Sequence, residues 1–226
     1  MSNDTDFDLS GLDPEILAAL QQLAAEEVVY EEHIQKYVGK IEQVFSIQEE
    51  KDDTSEDDLM LDIYWIAPTS ANPFHTLITK GLSDYDMIVP EEAEGLENAE
   101  LLVHLPPTWQ ISSSDWILDV LKLLAEYPIK LDTYISYGHS LPNGSALHGS
   151  TKMDALVVLD SLQLDEDFST LFISDTKIIH FYTVVPLYTE ELDYKIKYGI
   201  RALLDKFGKY KINDIWDLQR KNVVTG

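Results

Sequence analysis

The chain has 226 residues, 45% of them apolar and 10% aromatic, which supports a sizeable buried core and excludes global disorder. It carries 41 acidic and 16 basic side chains, net −25, and no cysteine, so disulfides, a thiolate nucleophile and cysteine-ligated zinc are all excluded. So negative a chain disfavours nucleic acid and anionic membrane, and no apolar run approaches the ~18 residues that span a bilayer.

The charge is unevenly placed. Residues 1–110 hold 25 acidic and 4 basic side chains, residues 111–186 hold 10 and 4, and residues 187–226 hold 6 and 8. Such a surface steers a basic protein inward, although solubility alone would also account for it. The polar, acidic start from Met1 to Asp8 is the opposite of a secretory or mitochondrial signal, and a cytoplasmic protein is expected.

In chain order, residues 1–12 read as an acidic flexible tail. Asp13-Pro14-Glu15 is a helix start, followed by Ile16, Leu17, Leu20, Leu23 and Ala24 at helical spacing. The segment 33–45 again places Ile34, Tyr37, Val38, Ile41, Val44 and Phe45 on one stripe, so residues 13–48 are expected to be helical, with Gly39 the weak point. Residues 49–58, with seven acids and one lysine, read as an exposed loop.

From Leu59 to Ile66 the pattern turns to period two, which predicts a strand. Phe74 to Thr79 and Tyr85 to Val89 are expected as a hairpin around Lys80-Gly81. A strand over 99–105 ends at Pro106-Pro107. Ser112 to Ser114 offer caps for a helix with Trp116, Val120, Leu121, Leu123 and Leu124 inward, ending at Tyr127-Pro128. Residues 132–137 are readable as helix or strand, and 138–151 as loop, with Asn143-Gly144-Ser145 a turn. Strands follow at 155–159 and 177–185. One helix from Thr189 carries Leu192 to Phe207 and closes at Gly208, after which Ile212, Ile215 and Trp216 dock the tail. The order predicts an α+β fold: a single domain over 13–226 with a mixed, mostly antiparallel sheet covered by helices.

The familiar phosphate-cradle, nucleophile-elbow and H-E-x-x-H patterns are all absent, so no catalytic residue is assigned. His139 and His148 share one polar loop with Asp132 and Asp154 at its edges, which leaves a metal-dependent hydrolase as an alternative, but the spacing has no rigid i,i+4 geometry and no metal site is assigned. His180 reads as a satisfied core histidine. Trp65, Trp116 and Trp216 read as core. Trp109, after two prolines, is either packed or an interface anchor. Tyr134 and Tyr137 precede the Gly-His loop and could line a shallow binding surface.

Five separated blocks carry a resemblance: HIQKYVGKIEQVF (33–45), HTLITKGLSDYDMIVP (75–90), AELLVHLPPTW (99–109), YPIKLDTYISYGHSLPNG (127–144) and FYTVVPLYTEELDYKIKYG (181–199). Their order and spacing resemble the suppressor-of-fused-like domain in its bacterial form. The resemblance implies one α+β domain, no cofactor, and work done by binding proteins. Animal members clamp an extended peptide of zinc-finger transcription factors, while bacterial members are associated with immunity against toxins. The implied clamp region falls near Tyr137, Gly138, His139, Asn143 and His148. The expected function is therefore a non-enzymatic protein-binding module, an immunity-type protein masking a basic toxin or another positively charged partner. A self-associating structural protein is the remaining alternative.

Overall fold

A computed structural model describes residues 13–47, 59–174 and 176–226. The expected acidic tail and acidic loop lie outside the described residues. Twelve principal elements follow in order: α1 (Pro14–Tyr37), β1 (Ile41–Ile47), β2 (Leu61–Ile66), β3 (His75–Lys80), β4 (Asn98–Leu105), α2 (Trp116–Lys130), β5 (Ser140–Pro142), β6 (Ala155–Leu159), β7 (Thr170–Phe172), β8 (Ile178–Leu187), α3 (Thr189–Tyr198) and α4 (Ile200–Tyr210).

The strands form one sheet in the order β1-β2-β3-β4-β8-β6-β5, with β7 also paired to β8. Among the described strands, β4–β8 is the one parallel pair and the other pairs are antiparallel. Every residue of β4 is buried, because α2 covers one face of the sheet and α1 the other. Leu101, Val103 and Leu105 meet Ile117, Leu121 and Leu124 of α2 in one core. Across the sheet, Leu102 joins Tyr30 and Ile34 of α1 with Phe168 and Phe181. At the β6 end of the sheet, Val157, Leu159 and Val185 pack with Leu203 and Phe207 of α4. The α+β, single-domain reading holds.

Several local expectations are overturned. The helical reading of 13–48 fails at Gly39: α1 runs unbroken to Tyr37 and β1 begins at Ile41. Gly39 has φ +144°, and a Cβ there would lie 3.1 Å from Ile66 Cγ2, so a glycine is needed where the chain leaves α1 and enters β1 beside β2. The apolar spacing in 41–45 is satisfied by pairing instead, since tertiary context overrides a short periodic signal.

The 74–89 hairpin does not form. β3 pairs with β2 and β4, and residues 82–84 make a 3-10 turn. Glu100 of β4 explains it: Oε1 accepts the N–H groups of Gly81 and Ser83 at 2.9 and 3.1 Å, which ties the turn to a side chain. Asp115, not Ser112 to Ser114, caps α2, and the helix continues past Pro128 to Lys130. Leu123 is on its exposed side. Residues 132–137 form neither helix nor strand. The last helix is two helices, broken at Gly199 with φ +86°; it ends on Lys211 rather than at Gly208.

Candidate partner-binding site

A concave surface is built around Trp109. Pro106 and Pro107 end β4, and Trp109 N–H closes the turn onto Pro106 O at 2.9 Å. Trp109 Nε1 donates to Asp115 Oδ2 at 2.6 Å while Asp115 Oδ1 accepts from Ile117 N, so one carboxylate fixes both the indole and the start of α2. Trp116 stands next in line, with its ring centroid 6.1 Å from Trp109 and 6.0 Å from Trp216, and it stacks flat on His148 at 4.8 Å.

The C-terminal segment 212–226 crosses this region as a strap. Ile215 bridges His104 in parallel, Trp216 N–H donates to His104 O at 2.9 Å, and Trp216 Nε1 donates to Val184 O at 2.7 Å. Gln219 Nε2 reaches across to Ser150 O at 2.6 Å and joins the strap to the 148–152 loop. Between strap and loop lies an open, mainly apolar groove of about 490 Å³, lined by Pro106, Trp109, Ile215, Trp216 and Leu218 with Ser150, Asn213, Asp217 and Gln219 at its polar margins. A smaller extension of about 250 Å³ passes over Thr151, Lys152 and Tyr188.

The seven candidate binding residues divide between two places. Trp109 lines the groove, and His148 stacks beside it on Trp116. Tyr134, Tyr137, Gly138 and His139 lead into β5, the outermost strand on its side of the sheet, and Asn143 follows it. There Gly138 N–H donates to Val158 O, Val158 N–H donates to His139 O, and the His139 ring packs edge-on to Tyr134 at 4.7 Å. Burial pushes the His139 imidazole below its ordinary value, only partly offset by a hydrogen bond with the Tyr134 backbone, with Lys195 lowering it a little further. Asn143 N–H donates to Asp154 O, and its side-chain amide donates to Ser145 O. Tyr137 is exposed, so an aromatic side chain stands beside this outermost strand.

Ile215 and Trp216 belong to the tail-docking pattern of the sequence and Leu218 carries no sequence signal of its own; the long-range hydrogen bonds of the strap bring all three to Trp109. His139 and His148 sit in these separate aromatic settings, and no cluster of three or more His, Asp or Glu side chains suited to a metal ion occurs among the described residues. Trp65 donates through Nε1 to His75 Nδ1 at 3.1 Å, and His180 Nε2 bonds Gly95 O at 2.9 Å, so both are satisfied within the fold.

Among the described residues, Ser161, His104 and Asp214 form a Ser-His-Asp grouping, but its wiring is structural. Ser161 Oγ donates to Asp214 Oδ2 at 3.0 Å and lies 3.0 Å from His104 Nε2, while His104 Nδ1 pairs with Thr76 Oγ1. The carboxylate holds the serine, not the far nitrogen of the imidazole as a hydrolytic relay requires. Burial pushes His104 down to about 4, against the opposing pull of Asp214, which makes it a poor general base at neutral pH.

Residues 57–221 match the family model described as Suppressor of fused protein (SUFU). Among solved structures, a SUFU homologue from Neisseria gonorrhoeae FA 1090 superposes with TM-score 0.66 at 11% identity, covering 92% of this chain and 99% of that one. The Sufu-Fu complex crystal structure aligns with TM-score 0.63 at 14% identity, over 88% and 91% of the two chains. Drosophila Suppressor of Fused gives 0.56 at 18% identity, over 75% of this chain and 44% of that one. A search of curated proteins returned no match.

Proposed function

Because the chain belongs to the suppressor of fused protein family, we propose that it is a cytoplasmic module that holds another protein, and that its partner is basic. The observation that carries this reading is the groove between strap and loop, where Trp109, Ile215 and Leu218 present apolar surface over the buried Trp216, of the kind that anchors a peptide side chain. Being open, it suits a protruding side chain of a larger partner better than an engulfed small molecule. A structural neighbour solved as a Sufu-Fu complex is consistent with this mode of action.

The charge supports the choice of partner. Net −21 over residues 1–110 creates a field that speeds encounter with a cation, after which aromatic contacts set the lifetime of the complex. Masking a basic toxin, as an immunity-type protein does, is one use of such a surface. The β5 edge, with Tyr137 beside it, gives an extended segment a place to add a strand.

The test begins with a protein that co-purifies from the host, identified and produced separately. Its association rate should fall by about tenfold or more between about 50 mM and about 500 mM salt. Trp109→Ala and Leu218→Ala should raise the dissociation rate and leave the association rate nearly unchanged. A rate indifferent to salt removes the steering argument, and a complex indifferent to both substitutions removes the groove.

A further inference from the structure

α1 is long for the part of it that is used. Its 24 residues extend for about 36 Å at 1.5 Å per residue, yet only Tyr30 and Ile34 are buried. Residues 16, 20, 23, 27, 30 and 34 share one helical face. Towards its C-terminal end that face lies in the core with Phe168 and Phe181. Towards the N-terminus the same face continues into Ile16, Leu20 and Leu23, which are 52%, 44% and 61% exposed.

The projecting half is aimed by a firm base. Tyr30 Oη donates to Thr79 O at 2.8 Å, Tyr64 Oη donates to Glu27 at 2.9 Å, Lys80 pairs with Glu27 at 3.3 Å and Lys177 with Glu26 at 3.6 Å. A free helical half of this length is marginal in water on its own propensity, even with alanines at 18, 19, 24 and 25. Its apolar face therefore gains from a cover. Charge says which. Residues 13–35 hold no lysine or arginine; Glu26 and Glu27 face Lys177 and Lys80 at the base, and Asp13, Glu15, Glu31 and Glu32 add four further acids. A second copy laid antiparallel would set acid against acid, whereas a helix with basic flanks would match.

We infer that the N-terminal half of α1 is a docking stripe for an amphipathic helix of a partner protein, with apolar residues at helical spacing and lysine or arginine on its flanks. This rests on the reading of the chain as a binder of basic proteins and adds a second contact, on residues that precede the family-matched region. Knobs from the incoming helix would seat between Ile16, Leu20 and Leu23, and Ala19 and Ala24, which flank the stripe, would permit close approach.

The probe is a labelled 18-residue peptide with leucine at helical spacing and lysine elsewhere, titrated into the intact chain at physiological salt. It should bind saturably. The triple variant Ile16→Gln, Leu20→Gln, Leu23→Gln keeps every charge and leaves the buried residues untouched, so its circular dichroism should match the parent while its affinity falls tenfold or more. A glutamate-flanked version of the peptide should not bind. Equal affinity for parent and triple variant overturns the inference, as does self-association of the parent that the triple variant abolishes. Trp109→Ala should leave peptide binding unchanged. Loss of this stripe with the groove still active, or the reverse, separates failure here from failure of the proposed function.

Discussion

Arg220 holds Glu191 with both terminal nitrogens of its guanidinium, Nη1 to Oε1 at 2.7 Å and Nη2 to Oε2 at 2.5 Å, and both side chains are buried. The same carboxylate accepts Tyr188 N–H at the start of α3 and Val223 N–H in the strap, while Arg220 Nη2 also donates to Pro186 O. One ion pair thus joins β8, α3 and the C-terminal strap. Removing one partner strands a buried charge, so Glu191→Gln and Arg220→Met should each cost about 3–5 kcal/mol in urea unfolding. The paired replacement should cost less than their sum. Amide exchange should accelerate first in residues 212–226. Equal and additive losses would show that the pair is not the joint.

Glu100 makes stability pH-dependent in an unusual direction. Burial pushes its carboxyl up to about 7, although Thr79 Oγ1, Ser83 Oγ and the N–H groups of Ser83 and Gly81 all donate to it and favour the charged form. When protonated, Oε2 can donate to Thr79 Oγ1, whose own hydrogen can turn to Leu101 O at 3.3 Å. The folded pKa lies above the ordinary value of 4.5, so between those values the native state keeps a proton that the unfolded state has lost. The contribution is complete below 4.5 and is lost as pH rises through about 7. Its slope approaches about 1.4 kcal/mol per pH unit within that window. Comparing urea midpoints of the parent and Glu100→Gln across pH isolates it: their difference should change over this window and flatten above it.

His104 acts with the opposite sign. Burial depresses its folded pKa to about 4, well below the ordinary 6.5, so the unfolded chain takes up its proton first and stability is lost as pH falls between those two values. Its ring resonances should therefore stay at their neutral positions from about pH 8 down to about pH 5.5. A midpoint near 6.5 in the folded protein would contradict the buried packing of Thr76, Ser161 and Asp214 around it.

How far the sequence could be read follows from where each signal is stored. β2, β4 and β6 carry their pattern in every residue, and the helix start at Asp13-Pro14 is a local contact, Glu15 N–H to Asp13 Oδ1 at 2.8 Å. These were legible. The turn after β3 was not, because what replaces the hairpin is Glu100, far along the chain. Gly39 and Gly199 punctuate the fold through positive φ, yet each stands inside a continuous apolar period that pointed to unbroken helix. At the candidate site, Trp109 is readable from the sequence as packed or as an interface anchor and His148 as a polar-loop histidine, and in the structure Trp109 is partly buried and His148 exposed. Trp216 and Leu218 reach them only through the strap, whose path depends on Arg220, Asp214 and Trp216 finding partners in β8, β4 and α3.

Gly81 offers the sharpest single test of the turn. Its φ is +121°, and a Cβ built there would sit 2.1 Å from Met60 O, a clash with backbone that no rotamer change relieves. The same residue donates its N–H to Glu100, so displacement would also loosen the buried carboxylate. Gly81→Ala should therefore cost upwards of about 2 kcal/mol, combining backbone strain with a lost buried hydrogen bond. Gly144 is the control: its φ of +74° is also left-handed, but a Cβ there meets nothing within 4 Å. Gly144→Ala should cost only about 1 kcal/mol. Thermal unfolding of both variants checks the contrast, and similar losses at the two positions would mean that conformational preference alone, rather than the approach of Met60, decides Gly81.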